Sequence, residues 1–293
     1  MGISKHPSVV TLPKIERPYP SILSFLSGRF PAIPRVVWEK RISEGKVLDD
    51  NGRLITPATE YTPLRRIFYF REVCVEPTIP FAEKILHIDD EILVACKPHF
   101  LPVTPGGRYV NECLLNRLRR STGIEDLAPL HRIDRETAGI VLFSTNKSSR
   151  GRYGTLFMNG QVKKTYLALS ACSSSQKTVS CKIENRIERG DPWFIMKAAP
   201  GTVNAKSAIN LVEVKGETAR FVLHPITGKT HQLRLHMGCI GFGILNDRYY
   251  PELQAERPDN FAMPLQLVAK KLRFRDPLSG TEREFVSERE LLW

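Results

Sequence analysis

Leu130-His131-Arg132-Ile133-Asp134-Arg135-Glu136-Thr137-Ala138-Gly139-Ile140-Val141-Leu142 sets Asp134 between two arginines and just ahead of an apolar run. Ile140-Val141-Leu142-Phe143 is short, continuous and apolar, which predicts a buried strand, so the charged residues before it form a loop entering a sheet. Positive neighbours favour the ionised form of a carboxyl group, and a carboxylate on such a loop can serve as nucleophile or base. An isolated Arg-x-Asp-Arg is also what a structural ion pair looks like, so the flanking sequence has to decide.

Upstream, Ile85-Leu86-His87-Ile88 and Ile92-Leu93-Val94-Ala95-Cys96 flank an Asp89-Asp90 turn and predict two strands. Asn111 to Arg120 carries Leu114, Leu115 and Leu118 at helical spacing. Downstream, Lys164 to Ala171 predicts a strand with Lys164, Tyr166 and Ala168 on one face. Ala219 to Leu223, Thr230 to His236 and Leu265 to Phe274 predict more strands, and the serine-rich stretch 172–180 a loop. In the strand expected at 230–236, Gln232, Arg234 and His236 share the polar face. Strands do not alternate with long helices, so the expected fold is α+β: a mixed, largely antiparallel central sheet with flanking helices.

The N-terminal part reads differently. Residues 1–17 are expected to be an irregular arm. Ser21 to Leu26 and Pro34 to Glu44 predict two short helices, and Lys46-Val47-Leu48 and Arg53-Leu54-Ile55 a hairpin closed by Asn51-Gly52. This order predicts a small α/β subdomain over 18–76, followed by a larger domain over 82–293.

Composition narrows the partners. Lysine plus arginine number 43 against 31 aspartate plus glutamate, a formal charge of +12, with a pI near 9.5. A positive field of this size predicts a polyanionic partner such as nucleic acid. Hydrophobic residues make up 42% and charged residues 25% of the chain, the balance of a globular protein rather than a disordered or membrane one. The cysteines are scattered, with no C-x-x-C pair and no histidines at ligand spacing, so no metal is expected. Gly228-Lys229-Thr230 lacks the glycine a phosphate loop needs upstream, where Leu223 stands, so no nucleotide cofactor is expected. Pro7, Pro13, Pro18 and Pro20 interrupt any secretory leader. No apolar run approaches a membrane span. The expectation is a cytoplasmic monomer.

Four motifs in one order resemble a known family. His131-Arg132-Ile133-Asp134-Arg135-x-Thr137-x-Gly139 is similar to the segment around the catalytic aspartate of RluA-type RNA pseudouridine synthases, with Ile133 for leucine and Ala138 for serine. Thr227-Gly228-Lys229-Thr230-His231-Gln232-Leu233-Arg234-Leu235-His236 resembles the family's Thr-Gly-Arg-Thr-His-Gln segment, with Lys229 for arginine. Lys164-Thr165-Tyr166-Leu167-Ala168 resembles its tyrosine-bearing strand, and Lys97-Pro98 its opening Asn-Lys-Pro. Phe261 to Phe285 is similar to its closing strands, with Val268 where histidine is usual. Residues 35–47 resemble, in degenerate form, the alpha-L RNA-binding module that many such synthases carry at the N-terminus.

The resemblance implies the pseudouridine synthase fold and a cofactor-free isomerisation of uridine in structured rRNA or tRNA. Asp134 is implied as the catalytic group, either attacking the ribose or deprotonating it. Arg234 is implied to pair with Asp134, and Tyr166 to stack on the target base. Arg132 is implied to fill the space left by a flipped base, with His131, Arg135, Lys97, Lys229 and Gln232 also facing RNA. A catalytically silent RNA-binding protein or RNA chaperone on the same fold is the alternative.

Overall fold

A computed structural model of the chain describes residues 2–4, 6–172 and 178–293. The serine-rich loop expected over 172–180 therefore lies, at 173–177, outside the described residues. The chain divides into two compact units, one of Met1–Pro77 with Gly106–Asn111, the other of Thr78–Pro105 with Glu112–Trp293.

In the first unit, helices Ile22–Arg29 and Arg35–Ser43 pack over a three-stranded antiparallel sheet of Ser8–Thr11, Arg66–Tyr69 and Val47–Asp49, in that order. Ser21 caps the first helix by accepting the Ser24 N–H at 3.2 Å. Leu23, Phe25, Leu26, Trp38, Ile42, Val47 and Ile67 form the core beneath. The strand at 8–11 corrects the expectation of an irregular arm over 1–17: four residues between prolines carry little local signal, and their order comes from pairing with distant Arg66–Tyr69. The Asn51-Gly52 turn is present, with Gly52 at φ 75° and the Asp49 carboxylate accepting the N–H groups of Asn51 and Arg53 at 2.9 and 2.8 Å. Its second arm joins the first through the Leu48–Leu54 bridge, with the Asp49 N–H donating to the Arg53 carbonyl at 2.9 Å and the Ile55 N–H to the Val47 carbonyl at 3.0 Å.

The second unit is built on an eleven-stranded sheet. Its main path runs Met196–Ala199, Ser180–Arg189, Ala205–Lys215, Thr218–Pro225, Lys163–Ala171, Leu267–Arg275, Ala138–Ser144, Ile92–Lys97, Lys84–Ile88. The pairing is antiparallel except between Leu267–Arg275 and Ala138–Ser144, so the expected mixed, largely antiparallel α+β sheet is what the chain forms. Helix Arg150–Met158 helps cover one hydrophobic cluster, through Tyr153 and Leu156 against Ile140, Leu142, Leu272 and Phe274. Helix Gln232–Cys239 covers another, through Leu233 and Met237 against Ala168, Phe221 and Leu223. Each such fully buried side chain contributes about 1.5–3 kcal/mol.

Gly139 sits where the one parallel pair begins. Its φ is 116°, and a Cβ there would lie 2.2 Å from the Ala269 carbonyl oxygen. Only glycine lets the strand after Asp134 lie this close to its neighbour. Val268, in the histidine position of the family, is fully buried opposite Ala138 and Leu167.

The segment expected as a strand at 230–236 is instead helix Gln232–Cys239. Its alternation of polar and apolar residues mimics a strand over a short window, but Leu233 and Met237, one helical turn apart, are the residues that reach the core. The predicted helix at 111–120 starts later, at Leu114, because Cys113 is extended (φ −144°, ψ 157°), and ends at Gly123 in the left-handed region. No helix among the described residues is long and apolar enough to cross a membrane.

Candidate active site

Asp134 lies on the loop between strands Ala128–Pro129 and Ala138–Ser144, and the residues around it hold that loop in place. The Lys97 side chain is buried, and its Nζ donates to the carbonyls of Pro98, Leu101 and Arg135 at 2.9, 2.6 and 3.0 Å. Burial pushes its pKa down to about 7 against the opposing pull of Glu136 and Asp134. The His131 Nε2 accepts the Leu142 N–H at 3.0 Å and the ring stacks on Phe157 at 4.8 Å; burial lowers its pKa to about 3, so the ring is neutral at physiological pH, as an acceptor must be. Arg135 forks onto Asp259 at 2.8 and 3.0 Å. His99 Nδ1 donates to the Glu136 carbonyl at 2.6 Å.

Gln232 likewise turns inward: it accepts from Thr227 Oγ1 and the Lys229 N–H, and its amide donates to Lys206 O and Ser207 Oγ. The expectation that Lys97, His131, Arg135 and Gln232 face RNA is thus not what the geometry gives. Their polar groups are engaged by backbone, hydroxyl and carboxylate groups of the protein, where basic sequence alone suggested an anion. Arg132 and Lys229 are exposed, and among the described residues their side chains make no hydrogen bond or ion pair.

Arg234, on the first turn of helix Gln232–Cys239, is 1% exposed. Its firm partner is Asp247, with Nε to Oδ2 at 2.7 Å and Nη2 to Oδ1 at 2.6 Å. Nη1 points the other way and lies 3.7 Å from Asp134 Oδ2 and 3.7 Å from Glu136 Oε2. It is buried and without a hydrogen-bond partner. Burial works against the charge of Arg234, but the hydrogen bonds and negative charge of Asp247, aided by Asp134 and Glu136, outweigh it and hold its pKa above the usual arginine value. The rings of Tyr249 and Tyr250 lie against the guanidinium at 4.8 and 5.5 Å. Asp247 Oδ1 also accepts the N–H groups of both tyrosines, at 2.8 and 3.2 Å.

Tyr166 lies opposite Leu223 and Ala269 in the middle of the sheet. Burial, and then the negative charge of Asp134, raise its phenol pKa, which keeps the hydroxyl protonated beside the carboxylate. Asp134 and Arg234 therefore meet at 3.7 Å, although they come from a loop and a helix, and Tyr166 stands on a strand close enough to feel the Asp134 charge. The Asp134 side chain is 23% exposed, unlike Arg234 behind it. A solvent-reachable carboxylate backed by a fixed cation is suited to meet an electrophilic carbon or a C–H proton. Asp247, Tyr249, Tyr250, Glu136 and Asp259 belong to the same cluster and are not announced by the sequence motifs. The one available signal was an acid followed closely by two aromatics, Asp247-Arg248-Tyr249-Tyr250. Among the described residues, no three His, Cys, Asp or Glu side chains converge as a metal site requires.

Comparison with known proteins gives this cluster a context. Residues 91–238 match the family described as RNA pseudouridylate synthase. The dual-specificity RNA pseudouridine synthase RluA of Pasteurella multocida is 33% identical over 216 residues, spanning 69% of this chain and 91% of that protein. A Synechocystis protein described as an uncharacterized RNA pseudouridine synthase is 28% identical over 230 residues, spanning 78% of this chain and 79% of its own length. The solved structure of human RNA pseudouridylate synthase domain containing 1 shares the fold, with a TM-score of 0.58 at 22% identity over 73% of this chain and 86% of that one. On this evidence the chain belongs to the RNA pseudouridylate synthase family, in its RluA-type branch, and is an RNA pseudouridine synthase.

Proposed function

We propose that Asp134 is the group that starts the isomerisation, with Arg234 fixing its position and Tyr166 serving the base. The observation that carries this reading is the Arg234 Nη1, buried, without a hydrogen-bond partner and 3.7 Å from the partly exposed Asp134 carboxylate. The cation is anchored from behind by Asp247, so it can orient the Asp134 carboxylate without drawing it out of reach of a substrate. The reaction breaks the bond between uracil N1 and ribose C1′, turns the base and joins C5 to C1′. C5 loses its proton and N1 gains one, so nothing is oxidised or consumed. Asp134 acts either by attacking the ribose or by removing a ribose proton. A protonated Tyr166 under the base suits stacking on uracil.

The target uridine lies in structured ribosomal or transfer RNA and must be flipped out of its stack, at a cost of a few kcal/mol. Arg132, exposed and with no hydrogen-bond or ion-pair partner among the described residues, supports a role in filling the vacated space. Lys229 supports a phosphate contact. The first unit is the second grip on RNA, and the enzyme works as a cytoplasmic monomer. Mapping pseudouridines in total RNA from cells with and without the gene tests this reading. At least one site should disappear with the gene and return with it; an unchanged map contradicts it.

A further inference from the structure

The turn joining strands Ser180–Arg189 and Met196–Ala199 carries two aromatic residues, Trp193 and Phe194. Trp193 is 74% exposed and Phe194 38%, although a packed position would shelter either ring from water. The two rings meet edge to face at 6.1 Å. Phe194 in turn packs on Tyr249 at 5.6 Å, and Tyr249 is the ring that lies against the Arg234 guanidinium. A continuous aromatic path therefore leads from solvent to the cation behind Asp134.

The turn is held in register with the site. The Tyr250 hydroxyl accepts the Met196 N–H at 2.7 Å and meets His231 Nδ1 at 3.0 Å. Gly190 N–H donates to the Ile195 carbonyl at 2.9 Å and closes the turn. At its base Arg189 is exposed, and its side chain makes no hydrogen bond or ion pair among the described residues. An open indole, a second ring behind it and an unpaired cation at the same turn match what an unstacked nucleotide needs, a flat face for the base and a charge for the phosphate.

We infer that Trp193, backed by Phe194, is a stacking platform for an unpaired base of the substrate RNA beside the flipped uridine. This rests on the pseudouridine synthase reading and extends it by naming where the neighbouring nucleotide is held. The ligand is a nucleobase of any kind, because stacking uses the face of the ring and not its hydrogen-bonding edge. The platform therefore selects for an unpaired neighbour, not for a particular sequence.

The test uses the full chain and total RNA labelled with tritium at uridine C5. Trp193→Ala should raise KM for tritium release about tenfold, with a much smaller change in kcat, and Trp193→Phe should recover most of the loss. Unlabelled RNA should quench a component of the parent's tryptophan emission that is missing in Trp193→Phe. An unchanged KM in both Trp193→Ala and Phe194→Ala, or quenching in Trp193→Phe as large as in the parent, overturns the platform. A parent that releases no tritium defeats the enzyme reading instead, and the quenching experiment then still decides whether Trp193 touches RNA.

Discussion

Replacing Asp247 by asparagine should unfold the second unit more readily while leaving Asp134 untouched. Both members of the Asp247–Arg234 pair are sealed from water, with side-chain exposures of 0% and 1%. The carboxylate receives four hydrogen bonds, two from the guanidinium and two from the backbone of Tyr249 and Tyr250. Removing one charge of a buried pair leaves the other uncompensated, at a cost of about 3–5 kcal/mol. An asparagine oxygen can still accept some of these bonds, so the lower end, about 3 kcal/mol, is expected. For a unit of this size that corresponds to a fall in Tm of about 6–12 °C. Asp134→Asn is the control: its carboxylate is 23% exposed and 3.7 Å from Arg234, so its loss should change stability by less than about 1 kcal/mol. Urea unfolding and thermal melting of the two variants beside the parent provide the assay. A parent-like melt for Asp247→Asn, or an equal loss in Asp134→Asn, refutes the view that Asp247 anchors the arginine.

Other outcomes follow from the same geometry. Lys97→Met should destabilise the second unit by a few kcal/mol, because three carbonyls lose their donor; an unchanged urea midpoint contradicts this. Burial lowers the pKa of His99 to about 4, of His131 to about 3 and of His236 to about 4. The unfolded chain, titrating near 6.5, then binds the extra protons, so stability is full above about pH 6.5 and falls toward pH 4, by about 1.4 kcal/mol per pH unit for each histidine. A urea midpoint that is the same at pH 7 and pH 5 would show that these rings are not held neutral. Deleting residues 1–75 should weaken RNA binding more than it slows turnover at saturation, since phosphate contacts mainly position a substrate; a filter-binding curve identical to the parent's contradicts an RNA grip in the first unit.

The strands of the large sheet that carry continuous or alternating apolar residues were legible in the sequence, because burial on one or both faces leaves that pattern. Helix Gln232–Cys239 was not, since its polar–apolar alternation fits two periods over so few residues and only the tertiary contacts of Leu233 and Met237 choose between them. The strand at 8–11 was hidden for a related reason: its order comes from a partner far along the chain. In the site, Asp134, Tyr166 and Arg234 stood in recognisable motifs, and the first and last of them lie 3.7 Å apart. Lys97, His131, Arg135 and Gln232 stood in the same motifs and point inward, because a motif records that a residue type is needed and not which way it faces. Asp247 escaped notice altogether. A buried counter-ion is recognisable only once the arginine it holds has been placed.

Every proposed step of the isomerisation starts at the Asp134 carboxylate. Tritium release from RNA labelled at uridine C5 measures it directly, with the parent and Asp134→Asn compared at saturating RNA and matched folding. The parent should release tritium in step with pseudouridine formed, while Asp134→Asn binds the RNA and releases none. Turnover by Asp134→Asn at the parent's rate would contradict the account.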